Sequence, residues 1–138
     1  MAASMGKQMA RNFSHYPELS CVELVTAVPL HPSKQRTRGY NQSELLGCSF
    51  AHHTGLCWKP ALLKRTRNTK SQTKLNRAGR LANMQGAFTC TVPSQVKGKV
   101  VLLIDDVSTT GATLEGCAIA LKEAGAKRVF AYTYAREN

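Results

Sequence analysis

Acidic residues are scarce in this chain: eight Asp and Glu stand against nineteen Lys and Arg, a net charge of +11 over 138 residues. No apolar run approaches the roughly 20 residues of a membrane-spanning helix. The N-terminal stretch MAASMGKQMARNFS has no apolar core of the kind a secretory leader needs. These absences predict a cytosolic chain with no membrane insertion. The five cysteines, at 21, 48, 57, 90 and 117, are odd in number and contain no CxxC pair. That argues against a disulfide framework and for reduced thiols. There is no internal repeat and no Gly/Ser-rich or Pro-rich linker, so residues 1–138 are expected to form a single domain. GxxxxGK[ST] is absent, which excludes a P-loop, and so is GxGxxG, which excludes a dinucleotide-binding βαβ unit. No Ser-His-Asp or Cys-His arrangement with recognisable context is present for nucleophilic catalysis.

One cysteine arrangement has metal-ligand spacing. Cys48 with His52 and His53 with Cys57 are both i,i+4 pairs on an expected helix. The two pairs point about 100° apart on a helix surface, so one ion does not easily collect all four. Helix packing and surface histidines are the preferred reading.

The charge is concentrated. Residues 34–80 hold eleven Lys and Arg against the single acid Glu44, and Lys59 to Arg80 contains eight basic residues and no acid. So one-sided a block implies a polyanionic partner, either a nucleic-acid backbone or a small phosphorylated ligand.

Strand-like and helix-like segments alternate, the mark of an α/β fold with a mainly parallel central sheet flanked by helices. Cys21–Val28 reads as the first strand, ended by Pro29 and Pro32. The basic loop HPSKQRTRG follows. A helix then begins near Asn41, which has capping-box spacing to Glu44, and stops at Gly55. Ala61–Lys64 reads as a short strand, with a polar basic loop after it that enters a short helix over about Arg77–Met84. Val100–Ile104 is apolar at every position and β-branched in three of five, as expected of a strand covered on both faces. Leu114, Cys117, Ala118, Leu121 and Ala124 follow helical spacing up to Gly125, and Arg128–Tyr134 alternates as a final strand.

The central strand runs into Asp105, Asp106 and then the small-residue tract Ser108, Thr109, Thr110, Gly111, Ala112 and Thr113. Strand, loop and helix in that order put this stretch at the carboxyl end of a central strand, where open α/β sheets bind ligands. Small residues let backbone N–H groups and the start of the next helix approach a phosphate, and Gly111 is free to take positive φ. Carboxylates would repel that phosphate, but as acceptor-only groups they match the paired hydroxyls of a ribose. The stretch therefore describes a ribose 5-phosphate site. A structural alternative, in which the aspartates merely cap a turn, leaves the threonine tract unexplained.

IDDVSTTGAT closely resembles the signature of type I phosphoribosyltransferases, which bind 5-phosphoribosyl 1-diphosphate (PRPP). VPLHPSKQRTRGYNQSELL, 28–46, and RTRNTKSQTKLNRAGRLANMQGAF, 65–88, resemble the competence protein F (ComF) branch. The resemblance covers about residues 20–135 and implies the type I phosphoribosyltransferase fold. It implies that Asp105 and Asp106 hold the ribose hydroxyls, with Mg2+ between PRPP's hydroxyls and diphosphate and in reach of both carboxylates. It implies that Thr109–Thr113 hold the 5-phosphate and that Lys34, Arg36 and Arg38 lie near the diphosphate, with Arg38 catalytic beside the aspartates. It also implies a mobile lid over 65–77, carrying Arg65, Arg67, Lys70, Gln72 and Arg77.

The implied reaction transfers phosphoribosyl from PRPP to an unidentified nucleobase or amine with release of diphosphate. Acceptor contacts in this fold come from variable loops and an N-terminal hood, for which residues 1–20, with Phe13, His15 and Tyr16, are the candidates. Family members usually begin with a cysteine-rich zinc-binding segment, so this chain reads as a short form, or a truncated product, without it. Two other readings stand beside the enzyme. One is a DNA-uptake protein of natural transformation, binding single-stranded DNA through its basic face with the PRPP site regulatory or serving an uncharacterised reaction. The other is a domain that keeps the fold without catalysis. Family habit also implies a homodimer, with an exposed N-terminal helix as one interface.

Overall fold

Alternating apolar residues decide how the central strand is used. In the computed structural model, which describes residues 2–29, 42–65, 87–108 and 111–136, strand β5 (Val100–Ser108) lies inside a four-stranded sheet. Val101 and Leu103 pack on one face, and Val100, Leu102 and Ile104 pack on the other. Every one of the five is nearly inaccessible, so the strand is covered on both sides as its unbroken apolar run requires.

The partners of β5 are β1 (Leu24–Ala27) and β6 (Arg128–Arg136), and β1 in turn pairs with the two-residue β2 (Cys57–Trp58). All three pairings are parallel. Helix α1 (Ala2–Phe13) leads through a short turn at Pro17–Leu19 into β1, and α2 (Gln42–Thr54) connects β1 to β2. A separate antiparallel pair, β3 (Leu63–Arg65) with β4 (Phe88–Cys90), precedes the one-turn helix α3 (Pro93–Val96). Helix α4 (Ala112–Glu123) joins β5 to β6.

Two layers of side chains cover the sheet. Cys117, Ala120 and Leu121 of α4, with Leu63 and Phe88 of the hairpin, fill one face. Leu46 and Phe50 of α2, with Met9 of α1, fill the other. Gly6 sets the closeness of the two helices in that second layer: a Cβ there would collide with Ser49 and come within 2.8 Å of the Phe50 backbone nitrogen. Phe13 meets Phe50 edge to face at 5.3 Å, and Tyr132 meets Phe50 at 5.8 Å and Tyr16 at 5.9 Å. Contacts of this geometry favour the ring quadrupoles as well as burial.

Several boundaries differ from the sequence reading. The first strand is four residues long rather than eight, because its regular pairing with β5 covers only Leu24–Ala27. The central strand does not stop at Ile104: pairing with β6 carries it through Asp105 and Val107 to Ser108. Correspondingly, β6 runs to Arg136. Strands β2 and β4 were not anticipated, being two and three residues long. Helix α1 is not simply an exposed element, since Met9 on its inner face is 2% exposed against the sheet layer. Its outward residues Lys7, Gln8, Arg11 and Asn12 remain in solvent. The expected cap at Asn41 and the short helix over 77–84 lie outside the described residues. No helix among the described residues is long and apolar enough to cross a membrane.

Candidate ribose-phosphate site

Helices α2 and α4 cover opposite faces of the sheet, and the strands they leave, β1 and β5, are neighbours. Such a reversal of winding opens a crevice at the carboxyl ends of the two strands, the usual ligand position in open α/β sheets. Asp105 and Asp106 lie there. The β1 ladder ends with Ala27 opposite Ile104, while β6 continues to pair beyond it, so the aspartates are supported from one flank only.

The other flank is supplied by α2. Ser43, in the first turn of that helix, is 5% exposed and donates its hydroxyl to Asp105 Oδ1 at 2.7 Å. Its oxygen also lies 3.4 Å from Asp106 Oδ1 and 3.4 Å from the Asp106 backbone nitrogen. That nitrogen donates to Asp105 Oδ1 at 2.9 Å. A carboxylate beside the first turn of a helix also gains from the partial positive charge of the helix end. Ser43 was missed by sequence reasoning, because a lone serine 62 residues from its partner carries no local signal.

Burial pushes the Asp105 carboxyl up to about 6. The Ser43 hydroxyl and the Asp106 amide oppose that rise, and the adjacent Asp106 carboxylate adds to it. Two neighbouring acids in partly buried surroundings are thus poised between repulsion and a donor or cation that would satisfy both.

Beyond the strand, Gly111 takes φ +82°, the left-handed conformation that favours glycine, and opens α4 with no side-chain cap. Among the described residues nothing lies within 4 Å of where its Cβ would be. Ala112 is buried and Thr113 half-buried. Ser108 is placed by its backbone pairing opposite Arg136. Thr109 and Thr110 lie outside the described residues, as do Lys34, Arg36 and Arg38 of the basic loop and Arg67, Lys70, Gln72 and Arg77 of the expected lid.

Arg65 is a correction. Expected as the first residue of that loop, it is the last residue of β3, paired with Phe88, with its guanidinium 5.3 Å from the centre of the Phe88 ring. Pairing with β4 and the cation–π contact hold it in the hairpin. Burial disfavours its charge. Cys117, on the α4 face, is a fully buried thiol pushed far above the ordinary range by burial first and by the Asp105 charge second. It is therefore inert packing rather than a nucleophile. The Cys48/His52/His53/Cys57 group forms no cluster of three or more ligands among the described residues. His53 Nδ1 instead lies 2.8 Å from the Ser49 carbonyl, and both cysteines are exposed.

Known proteins resemble this chain in sequence and in fold. The phosphoribosyl transferase domain family matches residues 61–138, more than half of the chain. The chain belongs to that family. It is 35% identical over 111 residues to the DNA utilization protein YhgH of Salmonella typhimurium, covering 80% of this chain and 48% of that protein. It is 31% identical over 120 residues to Competence protein F of Haemophilus influenzae, covering 86% of this chain and 52% of that protein. The chain thus spans about half the length of these relatives. Among solved structures, glutamine phosphoribosylpyrophosphate amidotransferase from B. subtilis superposes with a TM-score of 0.63 at 22% identity, over 96% of this chain and 26% of that one. The family match and the parallel sheet flanked by helices make this the type I phosphoribosyltransferase fold, and the relatives are of the ComF type that segments 28–46 and 65–88 resemble.

Proposed function

We propose that this domain binds PRPP with magnesium and transfers its phosphoribosyl group to a nitrogen nucleophile, a nucleobase or an amine, with release of diphosphate. The observation that carries the reading is the Asp105–Asp106 pair, held at the switch point of the sheet by Ser43 and followed by a helix opened at Gly111. Two acceptor-only carboxylates suit the ribose 2- and 3-hydroxyls, and the glycine-opened α4 terminus suits the 5-phosphate. Paired hard oxygen donors also fit magnesium, which would bind through Asp105, Asp106 and the ligand's own oxygens. When bound, magnesium supplies positive charge to the departing diphosphate.

In the transfer, the acceptor's nitrogen lone pair forms the new bond to C1 of the ribose as the C1–oxygen bond to diphosphate breaks. The electron pair leaves with diphosphate, and the acceptor nitrogen releases its proton. Nothing in that sequence needs a protein nucleophile. The chain's own contribution is orientation by the carboxylates and cradle, with cations from the basic segments Lys34–Arg38 and Arg67–Arg77 neutralising the leaving group. All five thiols are free, which suits a reducing cytosol.

Titration calorimetry with magnesium and PRPP, followed by a diphosphate-release assay across nucleobases and amines, tests the proposal. Saturable PRPP binding with acceptor-dependent diphosphate release is the expected result. No PRPP binding would falsify the site reading, and binding without release against any acceptor would leave a fold that has shed its catalysis.

A second reading follows from the relatives' names, DNA utilization protein and Competence protein F, together with the +10 charge of residues 34–80. Here the basic segment binds single-stranded DNA and the PRPP site is regulatory. Lys59 to Arg80 contains no aromatic residue for base stacking, so such binding should be electrostatic and should weaken steeply with salt.

A further inference from the structure

Asp105 does not present two equivalent oxygens. Oδ1 receives both the Ser43 hydroxyl at 2.7 Å and the Asp106 backbone N–H at 2.9 Å. Both of these donors fall on the same oxygen. Two donors on one oxygen fix the carboxylate's rotation, which would otherwise be free to turn about its last side-chain bond. One of those donors comes with the strand itself, from the next residue. The other comes from a different element, in the region where the β1 ladder has already ended opposite Ile104. Ser43 is the group that reaches across from α2 at that point, and its oxygen lies within 3.4 Å of Asp106 Oδ1 as well.

We infer that Ser43 is the positioning residue of the ribose clamp: by occupying Oδ1 of Asp105 it aims Oδ2, together with the Asp106 carboxylate, at a vicinal diol. The inference rests on the reading of the pair as a ribose clamp and adds a division of labour within it. Oδ1 of Asp105 serves the protein, and Oδ2 serves the ligand. A diol recognised by two acceptors demands that both point the same way at once, so a donor that removes one rotational freedom before the ligand arrives favours binding without touching the ligand. Ser43 is nearly inaccessible, so its hydroxyl itself is shielded from bulk water.

A serine that only satisfied a buried carboxylate would affect folding and would be indifferent to what the ligand carries at positions 2 and 3 of its ring. The discriminating quantity is therefore the preference for ribose 5-phosphate over 2,3-dideoxyribose 5-phosphate, each measured as displacement of magnesium and PRPP from the intact chain. Wild type should prefer the diol. Ser43→Ala should lose about tenfold in affinity for ribose 5-phosphate, the loss expected for one hydrogen bond to a charged group, with the dideoxy compound unchanged. Ser43→Thr, which keeps the hydroxyl, should restore the preference. If Ser43→Ala fails to fold, Ser43→Cys, close in size but a weak donor, takes its place and should show the same narrowing. A Ser43→Ala or Ser43→Cys protein that folds and keeps the wild-type preference overturns the inference and leaves the clamp standing. Wild type that binds PRPP yet shows no diol preference overturns the clamp itself.

Discussion

Strand β5 is one ladder with two halves that obey different rules. Residues Val100 to Ile104 have neighbours on both flanks and both faces, and none is more than 5% exposed. From Asp105 to Ser108 the strand keeps its β6 neighbour and has passed the end of β1, and its aspartates are only partly buried. The first half contributes stability through apolar area removed from water, about 25 cal/mol per Å2. The second half spends some of that stability by holding a carboxyl whose charge its surroundings disfavour. The difference teaches where a ligand site can be placed in such a sheet: at the point where one strand outlasts its neighbour, still anchored on one side and open on the other.

Substitutions in the two halves should therefore separate folding from binding. Replacing Asp105 and Asp106 together by asparagine should weaken PRPP binding by at least about a hundredfold, as expected from removing charged acceptors from a preorganised site, and should leave the melting temperature equal or higher. Leu102→Ala should do the reverse. It should cost about 2 to 5 kcal/mol of stability by denaturant melting, because a fully buried side chain is deleted, with the calorimetric affinity of the remaining folded protein unchanged. If both variants lose binding in proportion to their stability, the two halves are not distinct.

The pH dependence sharpens the same contrast. Burial raises the Asp105 carboxyl from 3.8 to about 6, so between those values the folded protein holds a proton that the unfolded chain has released. Stability should accordingly fall as the pH rises from 4 to 6 and flatten above, by on the order of 2 kcal/mol after allowance for partial solvent access. PRPP affinity should rise with pH through about 6, as Asp105 ionises. Melting and calorimetry across this range should give curves of opposite slope, and Asp105→Asn should flatten the stability curve. A smaller effect is expected at Gly111→Ala. The left-handed φ costs about 1 kcal/mol or somewhat more for a residue with a Cβ, while no described atom crowds the position. The loss should appear in melting, with only a modest weakening of phosphate binding.

Much of this was legible from the residues alone, for physical reasons that also explain the exceptions. The first half of β5 is visible because five consecutive apolar residues satisfy a strand buried on both faces. Helix α4 is visible because Leu114, Cys117 and Leu121 keep helical spacing, and the turn at Gly111 because a residue without a Cβ is free to take positive φ. The extension of β5 through Asp105 and Asp106 is not visible, because aspartate is depleted in strands and only the pairing with β6 carries the ladder on. Strands β2 and β4 are too short for any periodicity. The seating of Arg65 in β3 depends on Phe88, more than twenty residues on, and the role of Ser43 on a carboxylate 62 residues away. What local pattern misses in each case is a partner supplied by the fold.

The β3–β4 hairpin has a consequence for how such a domain can vary. Leu63 pairs with Cys90 and Arg65 with Phe88, and Leu62 and Leu63 are anchored in the core beside Ala87 and Phe88. The two ends of segment 66–86 are thereby stapled side by side, whatever the segment itself contains. The hairpin is thus a fixed socket: Leu63–Arg65 and Phe88–Cys90 keep their register through their own pairing and core contacts.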